Sequence, residues 1–148
     1  METAVRQKRL VLLVEDDPSL KKTLTKAFHE LDFDVVLAVD YRAALEQIKL
    51  RPPALVCLDL NLPRESGYDV CEFIRKDSQL DWVQILIISD RKSPEDMAHA
   101  EEAGANAYLK KPFTIELLSK YVSTMLDGPN ASRPSVRALK RTDPPPKW

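Results

Sequence analysis

Four apolar stretches of this chain each run into a reactive side chain. Residues 10–14 end at Glu15 and Asp16, residues 54–58 at Asp59, residues 83–88 lead to Ser89, and residues 107–109 stop just short of Lys111. If these are strands of an open parallel sheet, their C-terminal ends face one crevice, where such sheets bind ligands. That crevice would gather three carboxylates, one hydroxyl and one ammonium. Carboxylate oxygens suit a hard cation such as Mg2+, which takes one or two carboxylates plus water. Lys111 suits a phosphoryl group. Without a cation, clustered carboxylates raise one another's pKa, so the set calls for a positive partner.

Each residue also has a plain structural reading. Glu15 and Asp16 could be an acidic turn before a helix, as Asp17 is expected to be. Asp59 could simply start a loop; its chemical reading is a nucleophile that accepts a phosphoryl group as an acyl phosphate. Asn61, two residues on, could turn its backbone carbonyl toward a metal. A serine after a strand, as at Ser89, is common. Lys111 precedes Pro112, which favours an extended backbone at the lysine, and a cis Lys–Pro bond would aim the side chain back into the crevice. Lys110 beside it reads as a surface lysine.

The elements that must position these groups alternate along the chain. Short apolar runs at 10–14, 35–39, 54–58, 83–88 and 107–109 read as strands covered on both faces. Asp17-Pro18 reads as cap and first helical position, followed by Leu20, Leu24, Ala27, Phe28 and Leu31 at helical spacing. Asp40 caps a second helix that Pro52-Pro53 ends. A loop at 60–66 leads to a third helix near Gly67, with Val70, Cys71 and Ile74 on its buried face. Ser93-Pro94-Glu95-Asp96 opens a fourth, with acids near the positive end of the dipole. Thr114 caps a fifth, carrying Leu117, Leu118, Tyr121, Val122 and Met125, and Gly128-Pro129 stops it. The pattern predicts a doubly wound α/β fold: a flavodoxin-like (βα)5 three-layer sandwich, with a parallel sheet in the order 2-1-3-4-5. Strands 1 and 3 are then neighbours, which places Glu15, Asp16 and Asp59 together.

The chain has 148 residues, 44% apolar and 30% charged, with a net charge of −1. This is the profile of one globular domain, with no reason to expect direct nucleic-acid binding. Residues 128–148 hold five basic residues (Arg133, Arg137, Lys140, Arg141, Lys147), one acid (Asp143) and five prolines, leaving −5 on residues 1–127. They read as a flexible basic tail after a globular domain at 1–127. Cys57 and Cys71 read as reduced core thiols. The start of the chain leads into only five apolar residues, too short for a signal peptide or a membrane span. The expected setting is cytoplasmic.

The motifs Val14-Glu15-Asp16-Asp17, Leu58-Asp59-Leu60-Asn61-Leu62-Pro63, Ile88-Ser89 and Tyr108-Leu109-Lys110-Lys111-Pro112-Phe113 stand in order across the chain. On them the chain resembles the receiver (phosphoacceptor) domain of two-component response regulators, over residues 8–127. The resemblance implies that Asp59 is the phosphoacceptor and Lys111 the lysine that pairs with the phosphoryl group. It implies a Mg2+ site from Glu15, Asp16, Asp59 and the Asn61 backbone carbonyl, with Asp16 a direct ligand and Glu15 acting through water. Ser89 matches the switch hydroxyl and Tyr108 the switch aromatic. The implied donor is a sensor histidine kinase or a histidine phosphotransfer protein. The output is a downstream protein partner that senses the surface of the fourth helix, fifth strand and fifth helix. The chain would act as a monomer or a phosphorylation-dependent dimer. It would be a regulator assisting its own phosphorylation and dephosphorylation, and not an enzyme.

Asp90 departs from the resemblance, because the residue after the switch hydroxyl is usually small. A phosphatase of the haloacid dehalogenase type would need an acid where Asn61 stands. A flavin carrier would need a phosphate-cradling loop where Glu15-Asp16-Asp17 stands. The remaining alternative is a receiver-like adaptor that is not phosphorylated.

Overall fold

The protein is described by a computed structural model that covers residues 8–61 and 67–128. Five strands, β1 (Arg9–Val14), β2 (Phe33–Ala38), β3 (Leu55–Asp59), β4 (Gln84–Ser89) and β5 (Ala107–Lys110), alternate with five helices. These are α1 (Pro18–Glu30), α2 (Tyr41–Leu50), α3 (Tyr68–Lys76), α4 (Pro94–Ala103) and α5 (Ile115–Asp127). The strands form one parallel sheet in the order β2-β1-β3-β4-β5, as the apolar runs predict.

Alternation along each strand divides the core in two. Leu12, Val14, Val56, Leu58, Ile85 and Ile87 face α2, α3 and α4. Val11, Leu13, Leu55, Cys57, Leu86 and Ile88 face α1 and α5. Both faces of the central strands are thus covered, and every residue of β3 and β4 is buried. That coverage explains why their sequences read as continuous apolar runs.

The helix starts follow the expected chemistry. Asp17, Asp40, Ser93 and Thr114 each accept a bond from a first-turn N–H through the side chain. α3 starts at Gly67 without a side-chain cap. The strands differ from the sequence reading by one or two residues. β2 begins at Phe33 because Arg9 pairs in register with it; the Arg9 guanidinium lies 5.6 Å from its ring centre. A one-turn 3-10 helix at Ser78–Leu80 joins α3 to β4 and had no counterpart in the sequence reading. Lys111–Pro112 is cis. Most of the loop at 60–66, and the tail reading of 129–148, fall outside the described residues.

One charged side chain organises the end of the sheet away from the crevice. Arg75, in the last turn of α3, donates to the carbonyls of Gly104 at 2.9 Å and Val83 at 2.8 Å, and to the Asn106 side-chain oxygen at 2.8 Å. That same oxygen accepts the Ile85 N–H at 2.8 Å. Three segments converge on one planar guanidinium, whose rigid fork suits several acceptors at once. Gly104 closes α4 at φ 105°, and a Cβ there would stand 2.3 Å from Arg75 Cγ, so both conformation and space require glycine.

Candidate functional site

Register alone brings the reactive residues together. β1 pairs Val14 with Leu58 of β3, so Glu15 and Asp59 leave the sheet side by side. Asp59 is in register with Ile88 of β4, and Ser89 with Lys110 of β5. The Lys111 N–H donates to the Ser89 carbonyl at 2.8 Å, which brings the lysine across to the same end.

Asp59 sits at the centre with 2% of its side chain exposed, and Lys111 donates to its Oδ2 at 2.6 Å. Its Oδ1 accepts the Asn61 N–H at 2.7 Å. Both carboxylate oxygens are therefore engaged by donors. For Lys111, burial lowers the pKa, but the bond to Asp59 and the charges of Asp59, Glu15 and Asp90 outweigh it and leave the ammonium above its usual range.

Glu15 is 1% exposed. Burial first, then a hydrogen bond with the Asp59 side chain and the charge of Asp59, push its carboxyl up to about 7. The Asp17 N–H, donating to its Oε2 at 3.1 Å, and the Lys111 charge pull the other way. Burial beside the Asp59 charge thus favours the neutral form of Glu15 over a wider pH range than usual.

The structure buries two of the three expected carboxylates, Glu15 and Asp59. Asp16 is exposed, and among the described residues no group of three or more His, Cys, Asp or Glu side chains is gathered tightly enough to hold a metal. The donor set still fits a hard divalent cation, which needs one or two protein carboxylates with water completing the shell. Glu15 and Asp59 supply them, and Asp16 follows Glu15 directly in the chain.

The switch candidates meet at one backbone unit. Ser89 is fully buried and its Oγ accepts the Arg91 N–H at 3.0 Å. Tyr108 is fully buried too, and its hydroxyl donates to the Arg91 carbonyl at 2.9 Å. Burial raises the Tyr108 hydroxyl, and a hydrogen bond with Ser89 moderates this. The Tyr108 ring lies within the core on the α4 side. Asp90 is exposed, and its Oδ1 accepts from Asn61 Nδ2 at 3.4 Å. The sequence reading missed the part played by Arg91, because only its backbone participates. The raised Glu15 carboxyl is what the sequence reading expected of clustered carboxylates without a cation.

Comparison with known proteins points to one family. The sequence model of the response regulator receiver domain matches residues 11–123. The response regulator protein GraR of Staphylococcus epidermidis is 37% identical over 108 residues, covering 73% of this chain and 47% of GraR. The chain spans about half the length of the curated relatives it matches. Among solved structures, a putative response regulator from Chloroflexus aurantiacus superposes with a TM-score of 0.76 at 28% identity, over 81% of this chain and 98% of that one. The receiver domain of sensor histidine kinase PA1611 from Pseudomonas aeruginosa, solved with a magnesium ion coordinated in its active site cleft, gives 0.72 at 26% identity, over 79% and 96%. Among the described residues no helix is long and apolar enough to cross a membrane.

Proposed function

This chain belongs to the response regulator receiver family of two-component systems, and from that premise we propose that Asp59 accepts a phosphoryl group from a phosphohistidine on a partner protein. The donor is a sensor histidine kinase or a histidine phosphotransfer protein. The observation that carries this reading is the buried Lys111–Asp59 pair at 2.6 Å, with Glu15 alongside, at the C-terminal ends of adjacent strands.

An Asp59 carboxylate oxygen forms the new bond to phosphorus. The bond from phosphorus to the histidine nitrogen breaks, and the nitrogen keeps the electron pair. The work is positioning and charge compensation, as expected of phosphoryl transfer. Lys111, released from the carboxylate oxygen it now holds, turns its ammonium to the phosphoryl oxygens. The Asn61 N–H keeps the carboxylate oriented. Glu15, Asp16, Asp59 and the Asn61 carbonyl are the groups that would hold Mg2+; when bound, the cation supplies countercharge to the transferring group. The chain is then a phosphoacceptor and not an enzyme acting on a separate substrate.

The new anion is read through Ser89. To donate to a phosphoryl oxygen, its hydroxyl gives up the Arg91 N–H, and Arg91 is the unit that Tyr108 also holds. Loop and ring then repack together, a population shift biased by one anion. The α4-β5-α5 surface changes, and a downstream protein partner binds it.

Incubating the full chain with a small acyl phosphate and Mg2+ tests the chemistry. The expected result is a phosphoryl mass gain on the intact protein that is absent in Asp59→Asn. No gain in the wild type would leave the adaptor that binds partners without being phosphorylated.

A further inference from the structure

Two tyrosines hold the start of α4, and only one of them belongs to the switch described above. Tyr108 on β5 donates to the Arg91 carbonyl just before the helix. From α3, the Tyr68 hydroxyl donates to the carbonyl of Asp96, in the first turn of α4, at 3.2 Å. The Tyr68 ring also stacks on His99 three residues further along, with centroids 4.1 Å apart and planes 20° apart. Tyr68 is 6% exposed and His99 is exposed, so the imidazole lies as a cover over a buried phenol. Burial pushes the Tyr68 hydroxyl up to about 12, and Tyr108 and Asp96 are near enough to add to this. It is thus a neutral donor at working pH. A phenylalanine or leucine would fill the same core volume; the hydroxyl and the stack are what reach α4.

Tyr68 follows a residue in tight contact with the acceptor's own backbone. A Cβ on Gly67 would stand 3.1 Å from the Asp59 carbonyl oxygen and 3.3 Å from Leu60 Cα. The start of α3 therefore lies close to the Asp59–Leu60 backbone, with no room for a side chain between them. Packed interiors transmit such displacements because there is no void to absorb them.

We propose that Tyr68 is a second positioning residue of the switch, tying α4 to the backbone of Asp59 through α3, in parallel with the Ser89–Arg91–Tyr108 route. This rests on the reading of Asp59 as the acceptor. α4 is then gripped at two points by two different elements. A displacement at Asp59 then reaches α4 by both routes, and loss of either weakens the response of the helix.

Hydrogen exchange on the full chain tests this in two arms. In the unphosphorylated protein, Tyr68→Phe keeps the ring and removes the bond, while His99→Ala keeps the bond and removes the stack. The α4 amides at 97–104 should exchange about 5-fold faster in Tyr68→Phe, the equivalent of one ordinary hydrogen bond, with β3 and α5 unchanged. His99→Ala should act on the same amides by a smaller factor. Unchanged α4 protection in Tyr68→Phe, or equal acceleration throughout the domain, would overturn the proposal. In the second arm, a small acyl phosphate and Mg2+ are added. The phosphorylation-dependent change in α4 exchange should fall to less than half its wild-type size in Tyr68→Phe; a full-sized change would count against the proposal. If the wild type takes no phosphoryl group, it is the acceptor reading that fails, and the first arm still decides whether Tyr68 holds α4.

Discussion

Glu15→Gln in metal-free buffer should flatten the dependence of stability on pH. Burial and the neighbouring Asp59 push the wild-type carboxyl up to about 7 in the folded protein, from an ordinary value of 4.5. A group whose folded pKa is raised contributes stability that is fully present below the unfolded value and is lost as pH rises through the folded one. At about 1.36 kcal/mol per pH unit, the full span is roughly 3 kcal/mol, and about 2 kcal/mol of it is lost between about pH 5.5 and about pH 8. Glutamine keeps the size and a hydrogen bond to Asp59 but has no proton to lose. Urea unfolding with a chelator, at the two pH values, gives the difference between wild type and variant. Subtracting one from the other cancels His29, His99 and every other group common to both. Mg2+ should reverse the wild-type slope, since the cation binds the ionised pair and adds stability only to the folded state. If Glu15→Gln showed the same loss of stability with pH as the wild type, the proton would sit elsewhere and the buried pair would be wrongly described.

Asp59→Asn removes the neighbouring charge that holds Glu15 up, so the loss of stability with pH should move to lower pH in that variant, read by the same unfolding series. Arg75→Ala takes donors from Gly104, Val83 and Asn106 at once and should cost about 2–4 kcal/mol, because buried acceptors are left unpaired; a loss under about 0.5 kcal/mol by urea unfolding would show that water replaces it. Gly104→Ala should cost about 1–3 kcal/mol from the left-handed backbone and the contact with Arg75, again by urea unfolding. Asp90→Ala removes both the Asn61 contact and a charge that bears on Lys111. The lifetime of the phosphoryl group, followed by intact mass after the donor is removed, should change by more than about 3-fold, equivalent to about 0.7 kcal/mol; an unchanged decay would show that Asp90 acts on solvent alone.

The order of the sheet and the crevice were legible because both follow from local pattern. An apolar run ending in an acid marks a buried strand and its C-terminal end together, and Asp17, Asp40, Ser93 and Thr114 mark helix starts by side-chain chemistry. What stayed hidden depends on partners far apart in the chain. Arg75 reads as one more basic residue in a last helical turn; its role exists only because Gly104 and Asn106 return to it from about thirty residues on. The Tyr68–His99 stack has the same origin. Asp16 was legible as an acid at the strand end, but its exposure was not, because that depends on the path of the backbone between β1 and α1.

Charge compensation also bears on the proposed chemistry. Lys111 pairs with Asp59, and burial with the charge of Asp59 favours the neutral form of Glu15. Under the proposed transfer a phosphoryl group would bring roughly −2 into the same space, and a divalent cation held there would favour loss of the Glu15 proton. We therefore expect cation binding, loss of that proton and the move of Lys111 from carboxylate to phosphoryl oxygen to be coupled. On this reading Ser89 keeps its partner, the Arg91 N–H at 3.0 Å, until a stronger, charged acceptor stands within reach. The proposed switch would then be held off by ordinary hydrogen bonds, which an acceptor carrying full negative charge is strong enough to replace.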